Sequence, residues 1–242
     1  MSAQFTEQES EHSQAVKAMF SGIAGRYDLL NHVLSLNIDK RWRRRVRHEL
    51  ADILTGADAL VLDVACGTGD LSVELQTGSG ATVIGTDFCR PMLEVAKKKN
   101  TATGLAIDHV EADAMQLSFA DDTFDAVTIA FGLRNLPNFE NGLIELRRVL
   151  KPGGRLVVLE CSHPRLPIFR QAYEFYFSTL LPRIGGVVSG SQSAYRYLPQ
   201  SVSKFPGQEA LAQLMEKAGF INVSYQNLSG GIAALHSGAK PI

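Results

Sequence analysis

The stretch Leu60-Val61-Leu62-Asp63-Val64-Ala65-Cys66-Gly67-Thr68-Gly69-Asp70-Leu71 decides how this chain is read. Its first five residues form a short apolar run broken by one acid, the pattern of a strand. Glycine at 67 and at 69 then lets the backbone turn tightly and approach a ligand with no Cβ in the way. Asp70 and Leu71 open a helical pattern. Strand, glycine turn and helix in this order begin a βαβ unit.

Outward from that stretch, apolar runs keep alternating with helical patterns. Residues 82–86 read as a second strand with Asp87 at its end, residues 105–110 as a weak third, 124–130 as a fourth and 155–160 as a fifth. A helix follows Pro91, whose fixed φ suits a first turn, and runs through the lysines at 97–99. Another covers 141–150 and ends at Lys151-Pro152-Gly153-Gly154, where a turn is expected. A last helix covers 208–218, and two final strands lie near 222–227 and 232–236. The expected fold is α/β: a Rossmann-like, mostly parallel seven-stranded sheet with an antiparallel last strand. The chain reads as one domain over 1–242, with a helical cover at 1–50, a core at 51–160, an insertion at 161–200 and a closing helix and strands at 201–242.

The chain has 242 residues, of which 45% are hydrophobic and 20% charged, and a net charge of -1. That balance suits a folded cytoplasmic protein and favours no nucleic-acid partner. Cys66, Cys89 and Cys161 show no metal-ligand spacing and no disulfide framework, so no metal is expected. The N-terminus does not read as a secretory signal, and there is no run of about 18 apolar residues to cross a bilayer.

A dinucleotide turn would place a third glycine at position 72, where the chain has Ser72. A pyrophosphate over the helix N-terminus is therefore disfavoured, and S-adenosylmethionine, which carries no phosphate, suits the turn better. Asp87 can accept both ribose hydroxyls at roughly 1.5–3 kcal/mol for hydrogen bonds to a charged group. Asp113 and Ala114 stand where a carboxylate and backbone can hold an adenine amino group.

The stretch from Val61 to Leu71 resembles motif I of class I methyltransferases. Phe131-Gly132-Leu133-Arg134-Asn135-Leu136 is similar to a signature of the UbiE-like family, the C-methyltransferases of menaquinone and ubiquinone biosynthesis. Ala24 to Asn31, Trp42-Arg43-Arg44, Tyr195-Arg196-Tyr197-Leu198, Phe205-Pro206-Gly207-Gln208 and Asn227 to Ile232 resemble its other signatures. The resemblance implies S-adenosylmethionine as cofactor, with contacts at Thr68, Asp87, Asp113 and Ala114; Asp63, Gly67 and Gly69 complete the cofactor set. Ala130 stands where the family often has serine. The implied substrate is a polyprenylated quinol, demethylmenaquinol ahead of a methoxy-polyprenyl-benzoquinol. A non-catalytic scaffold that binds the same cofactor is the remaining alternative.

A ring carbon becomes nucleophilic when a neighbouring hydroxyl loses its proton, so the site needs a group to stabilise the phenolate. Arg134 is the candidate for that role, and Asn135 for a hydrogen bond to the second oxygen. Tyr27 and Asn31 are candidates to cover cofactor and substrate, and Tyr195 and Tyr197 to line the quinol pocket. Phe169, Tyr173, Phe175, Tyr176, Phe177 and Leu180 offer a lining for the tail. A prenyl tail keeps the substrate in lipid at ~0.8 kcal/mol per buried CH₂. The run from Lys40 to Arg47, with Trp42, Val46 and Leu50 at helical spacing, therefore suggests transient contact with the inner face of the membrane. The competing reading packs that apolar stripe on the domain. A homodimer through the aromatic insertion is a further expectation.

Overall fold

The computed structural model describes residues 6–164 and 192–242. Strand β1 (Leu60–Val64) divides the interior by its alternation. Val61 joins the core layer on one face of the sheet, and Leu62 and Val64 the layer on the other. On either side of β1 lie β2 (Thr82–Asp87) and β4 (Phe124–Ala130), both parallel to it, with Leu62 opposite Ile84 and Val127. β3 (Asp108–Glu111) adds outside β2, and β5 (Leu150–Cys161) outside β4. β6 (Ile221–Leu228) and β7 (Ala233–Ala239) complete the order β3-β2-β1-β4-β5-β7-β6. β7 runs antiparallel to both its neighbours, as the expected fold requires.

Helices cover both faces: α1 (Glu7–Ile23), α2 (Tyr27–Leu34), α3 (Asp39–Glu49), α4 (Ala51–Leu54), α5 (Asp70–Gln76), α6 (Arg90–Thr103), α7 (Phe139–Val149), α8 (Gln192–Lys204) and α9 (Gln208–Lys217). Leu143 and Leu146 of α7 with Leu211 and Met215 of α9 fill one layer. Leu71 and Leu75 of α5 with Trp42 and Val46 of α3 fill the other. Each such aliphatic side chain, fully buried, contributes about 1.5–3 kcal/mol.

The apolar stripe of the basic run thus belongs to the core. Trp42 also donates its Nε1–H to Ser229 Oγ at 3.0 Å. Arg45 bonds Gln226 and Arg47 approaches Glu74, while Lys40, Arg41 and Arg44 are exposed. Among the described residues no helix is long and apolar enough to cross a membrane.

Boundaries shift where local chemistry wins. β3 starts three residues later than expected, because Leu105 and Ile107 pack against the core before the strand begins. β5 is longer: it runs through the Lys-Pro-Gly-Gly segment as an irregular stretch, with Gly153 at φ 77° and the pairing jumping from Leu150 to Arg155. α7 begins at Phe139, two residues early, because the Asn138 side chain caps it by accepting from the Asn141 N–H. Within the expected insertion only the start of the segment and α8 are described, so the six-residue aromatic lining, and with it the surface for a homodimer, lies outside the described residues.

From β1 the chain builds toward β2 and β3, and from β4 it builds the other way. The order reverses between β1 and β4, and a ligand crevice opens at the carboxyl ends of strands at such a point.

Candidate active site

A cleft of about 1020 Å³, part of it open to solvent, occupies that position. The glycine turn forms its floor. Ala65 and Gly67 hold φ of 51° and 56°, and the Cys66 N–H donates to Thr86 O at 2.9 Å, tying the turn to β2. Among the described residues a Cβ on Gly67 would have only the Tyr27 ring within 4 Å, at 3.8 Å. Gly69 has a different task. A Cβ there would lie 3.0 Å from His109 Nε2 and 3.1 Å from Ala96 Cβ, so this glycine lets α6 and β3 pack under the turn. Gly132 is required as well: its Cβ would sit 2.6 Å from that of Ala65, where the loop after β4 meets the turn.

Asp87 ends β2 beside the turn. Its Oδ2 accepts from the Gly67 N–H at 2.9 Å and its Oδ1 from the Cys89 N–H at 2.8 Å. Each oxygen keeps a lone pair for a ribose hydroxyl. Burial pushes the Asp87 carboxyl up to about 6, against the pull of those two N–H groups. Asp63, fully buried, is likewise pushed up to about 6 by burial, against the hydroxyls of Ser72 (2.6 Å) and Thr128 (2.9 Å) that donate to it. Pairing of β2 with β3 carries the chain on to Asp113, whose Oδ1 accepts from the Met115 N–H at 2.9 Å. Thr68 donates its hydroxyl to Asp28 of α2. Asp63, Gly67, Thr68, Asp87, Asp113 and Ala114 all line the cleft, with Tyr27, Asn31 and Asn135; Gly69 sits behind it.

The loop after β4 shapes the other end. Phe131 takes φ of 56°, and a 3₁₀ turn over Leu133–Asn135 follows. Asn135 faces the cleft, donates Nδ2–H to Phe131 O at 3.2 Å and accepts from the Tyr197 hydroxyl at 3.1 Å. Burial pushes the Tyr197 phenol up, and that of Tyr27 too, against a side-chain hydrogen bond with Asn31 that favours the Tyr27 phenolate. Tyr195 is also on α8, with its side chain outside the described ones.

Arg134 is buried behind this loop rather than in the cleft wall. Its Nη1 donates to Glu160 Oε1 and Oε2 at 3.1 and 2.9 Å and to Phe131 O at 2.5 Å, while its Nε has no partner among the described residues. Burial pushes Glu160 up and the Arg134 charge pulls it back down. Glu160 also accepts from the backbone N–H groups of Arg134 and Cys161, so it pins the loop to the end of β5. An acid at the end of a buried strand was its signal in the sequence. Phe20, Met92, Arg43 and Asp70 also line the cleft. Phe20 and Met92 come from helices whose orientation no local motif reports, whereas Asp70 directly follows the glycine turn and Arg43 lies in the Trp42-Arg43-Arg44 stretch.

Among the described residues the cleft presents four carboxylates, Asp63, Asp70, Asp87 and Asp113, against a single cation, Arg43. Such a surface repels a pyrophosphate and suits a ligand carrying positive charge. S-adenosylmethionine is a sulfonium with no phosphate, and the floor at Gly67 is open to it.

Comparison with known proteins agrees. Residues 7–240 match the ubiE/COQ5 methyltransferase family. A Thermus thermophilus protein named demethylmenaquinone methyltransferase is 52% identical over 224 residues, 92% of this chain and 100% of that protein. One of the same name from Deinococcus radiodurans is 46% identical over 233 residues, 96% of this chain and 95% of the other. Among solved structures, a SAM-dependent methyltransferase from Aquifex aeolicus superposes with a TM-score of 0.59 over 81% of this chain and 88% of its own, at 20% identity. The chain belongs to the ubiE/COQ5 methyltransferase family and is an enzyme whose methyl donor is S-adenosylmethionine.

Proposed function

We propose that this enzyme methylates a ring carbon of a polyprenylated quinol, with demethylmenaquinol as substrate. The observation that carries this reading is the full-length similarity to proteins named demethylmenaquinone methyltransferase, at 52% and 46% identity. The donor supplies a methyl group already activated on sulfur, so the protein's work is alignment, exclusion of water and control of one proton. Asp87 holds the ribose, Asp113 and Ala114 hold the adenine, and Thr68 with the turn at Gly67 supports the middle. Asp63 braces the turn from beneath through Ser72.

At the acceptor end, Asn135 hydrogen-bonds one quinol oxygen and is itself oriented by Tyr197. Tyr27 and Asn31 close over the ring. Arg134 contributes positive charge behind the loop, where it favours the phenolate that pushes electron density onto the ortho carbon. Tyr195, close to Tyr197 in sequence, is a further candidate for contact with the quinol.

The lipid tail places the reaction at the inner face of the membrane, approached from the cytoplasm. Lys40, Arg41 and Arg44 are the exposed cations of the basic run, each worth ~1 kcal/mol at an anionic surface. Exposed Leu36, at the turn before α3, stands near them in sequence. Reversal of these three charges abolishes co-sedimentation with anionic vesicles on this reading; unchanged binding removes this surface from it.

The decisive assay uses labelled S-adenosylmethionine with reduced demethylmenaquinone beside the reduced benzoquinone. Faster transfer to the naphthoquinol ring carbon is expected. Transfer confined to the benzoquinol, or to neither, overturns the substrate assignment while leaving the donor site intact.

A further inference from the structure

Asp87 and Asp113 account for the nucleoside part of the donor. The amino-acid end, with one ammonium and one carboxylate, still needs partners. A carboxylate in a cleft lined by four aspartates is repelled unless a cation sits against it. Among the described lining residues that cation is Arg43, a member of the basic run for which the sequence offered both a membrane surface and packing on the domain.

Arg43 does not project from α3 into solvent. Its side chain is 11% exposed, and Nη2 bonds Asp39 Oδ2 at 2.7 Å and Asp70 Oδ2 at 3.1 Å. Asp70 begins α5, directly after the glycine turn. Lys99 of α6 pairs with both Asp70 and Asp28, and His32 Nδ1 meets Asp39 Oδ2 at 2.9 Å. The ring atoms of His32 and the oxygens of Asp39 and Asp70 lie close enough together to suggest a cation site. That cation is already present, as the guanidinium on both carboxylates. The network holds three acids against two permanent cations, so it keeps one net negative charge toward a donor whose own net charge is positive.

We propose that Arg43 is the anchor for the donor's amino-acid carboxylate, with Asp70 beside it as the partner of the ammonium. Both acid contacts run through Nη2, and the planar fork of an arginine has donors on its other nitrogens to offer a carboxylate. Asp39 fixes the guanidinium from behind. Its own carboxyl is held low by Ser35, Arg43 and His32 against the opposing effect of burial. Arg43 also links α3 to the first turn of α5, so the anchor stands on two helices packed against the sheet.

The test is binding by the full-length protein, measured by titration calorimetry, and it is independent of the quinol. S-adenosylhomocysteine carries the amino-acid end; 5′-methylthioadenosine has the same nucleoside and sulfur without it. Arg43→Met should weaken S-adenosylhomocysteine by roughly tenfold or more while 5′-methylthioadenosine stays within about twofold. Arg43→Lys should fall between Arg43→Met and the unaltered protein. Equal losses for the two ligands would show that Arg43 only holds α3 against α5, and no loss for either would also overturn the assignment. Should Arg43→Met fail to fold, the ratio of the two affinities in Arg43→Lys gives the same answer, since both ligands meet the same protein.

Discussion

The two ends of the cleft are built by different means. At the nucleoside part of the donor end, main-chain donors close to the strand tip do the work: Gly67 and Cys89 both donate backbone N–H to Asp87, from the turn and from just past β2. At the acceptor end side chains converge from distant parts of the chain. Tyr197 reaches Asn135 across 62 positions, and His12 bonds the Asn135 carbonyl across 123. A donor that does not change can be met by a rigid sheet edge. An acceptor that must enter with a lipid tail is met by covering helices, which differ more easily in position and packing.

Substitutions at the two ends should therefore fail differently. The largest effect is expected for Arg134→Met. It leaves Glu160 buried without its charge partner, a loss of about 3–5 kcal/mol. In a domain of this size that lowers the melting temperature by on the order of 10 °C. Adding Glu160→Gln should recover much of it, because the amide is neutral and its oxygen can still accept from the loop backbone. A double variant no more stable than the single one would contradict the ion-pair account.

A smaller effect is expected for Asp87→Ala, which removes the ribose acceptor. Donor affinity should fall by roughly tenfold or more, for about 1.4 kcal/mol or more of lost hydrogen bonding. The pH dependence of donor binding should be gentler still. With the Asp87 carboxyl pushed up to about 6, its acceptor form is complete at pH 8 and is lost as pH falls through 6. Affinity should thus decline on acidification, by up to tenfold per pH unit below the midpoint. Asp63 titrates in the same range from beneath the turn, so Asp87→Asn is the control. A decline that survives in Asp87→Asn assigns the titration to Asp63 instead.

The same contrast explains what could be read from sequence. β1, the turn at Gly67, Asp87 and Asp113 are legible because strand alternation places them on one edge and the spacing of the chain puts them in order. Asn135 is legible because it lies in the short loop after β4. Arg43 was left between a membrane surface and solvent for a physical reason: a run of arginines on a helix looks solvated until the acids that face it, Asp39 and Asp70, are brought together by packing of α3 on α5. Glu160 was missed because a buried acid declares its partner only in three dimensions. The start of β5 departed from the expected turn because Leu150 already pairs with Phe124 of β4 before regular pairing with β4 and β7 begins at Arg155, and Gly153 absorbs the irregularity with its positive φ.

The most direct test of a cleft divided between donor and acceptor is to measure S-adenosylhomocysteine affinity and the single-turnover rate of methyl transfer in Asp87→Ala and Asn135→Ala together. The account predicts that Asp87→Ala loses affinity, while Asn135→Ala keeps it and loses rate at saturating donor. Equal losses of donor affinity in both variants would contradict it.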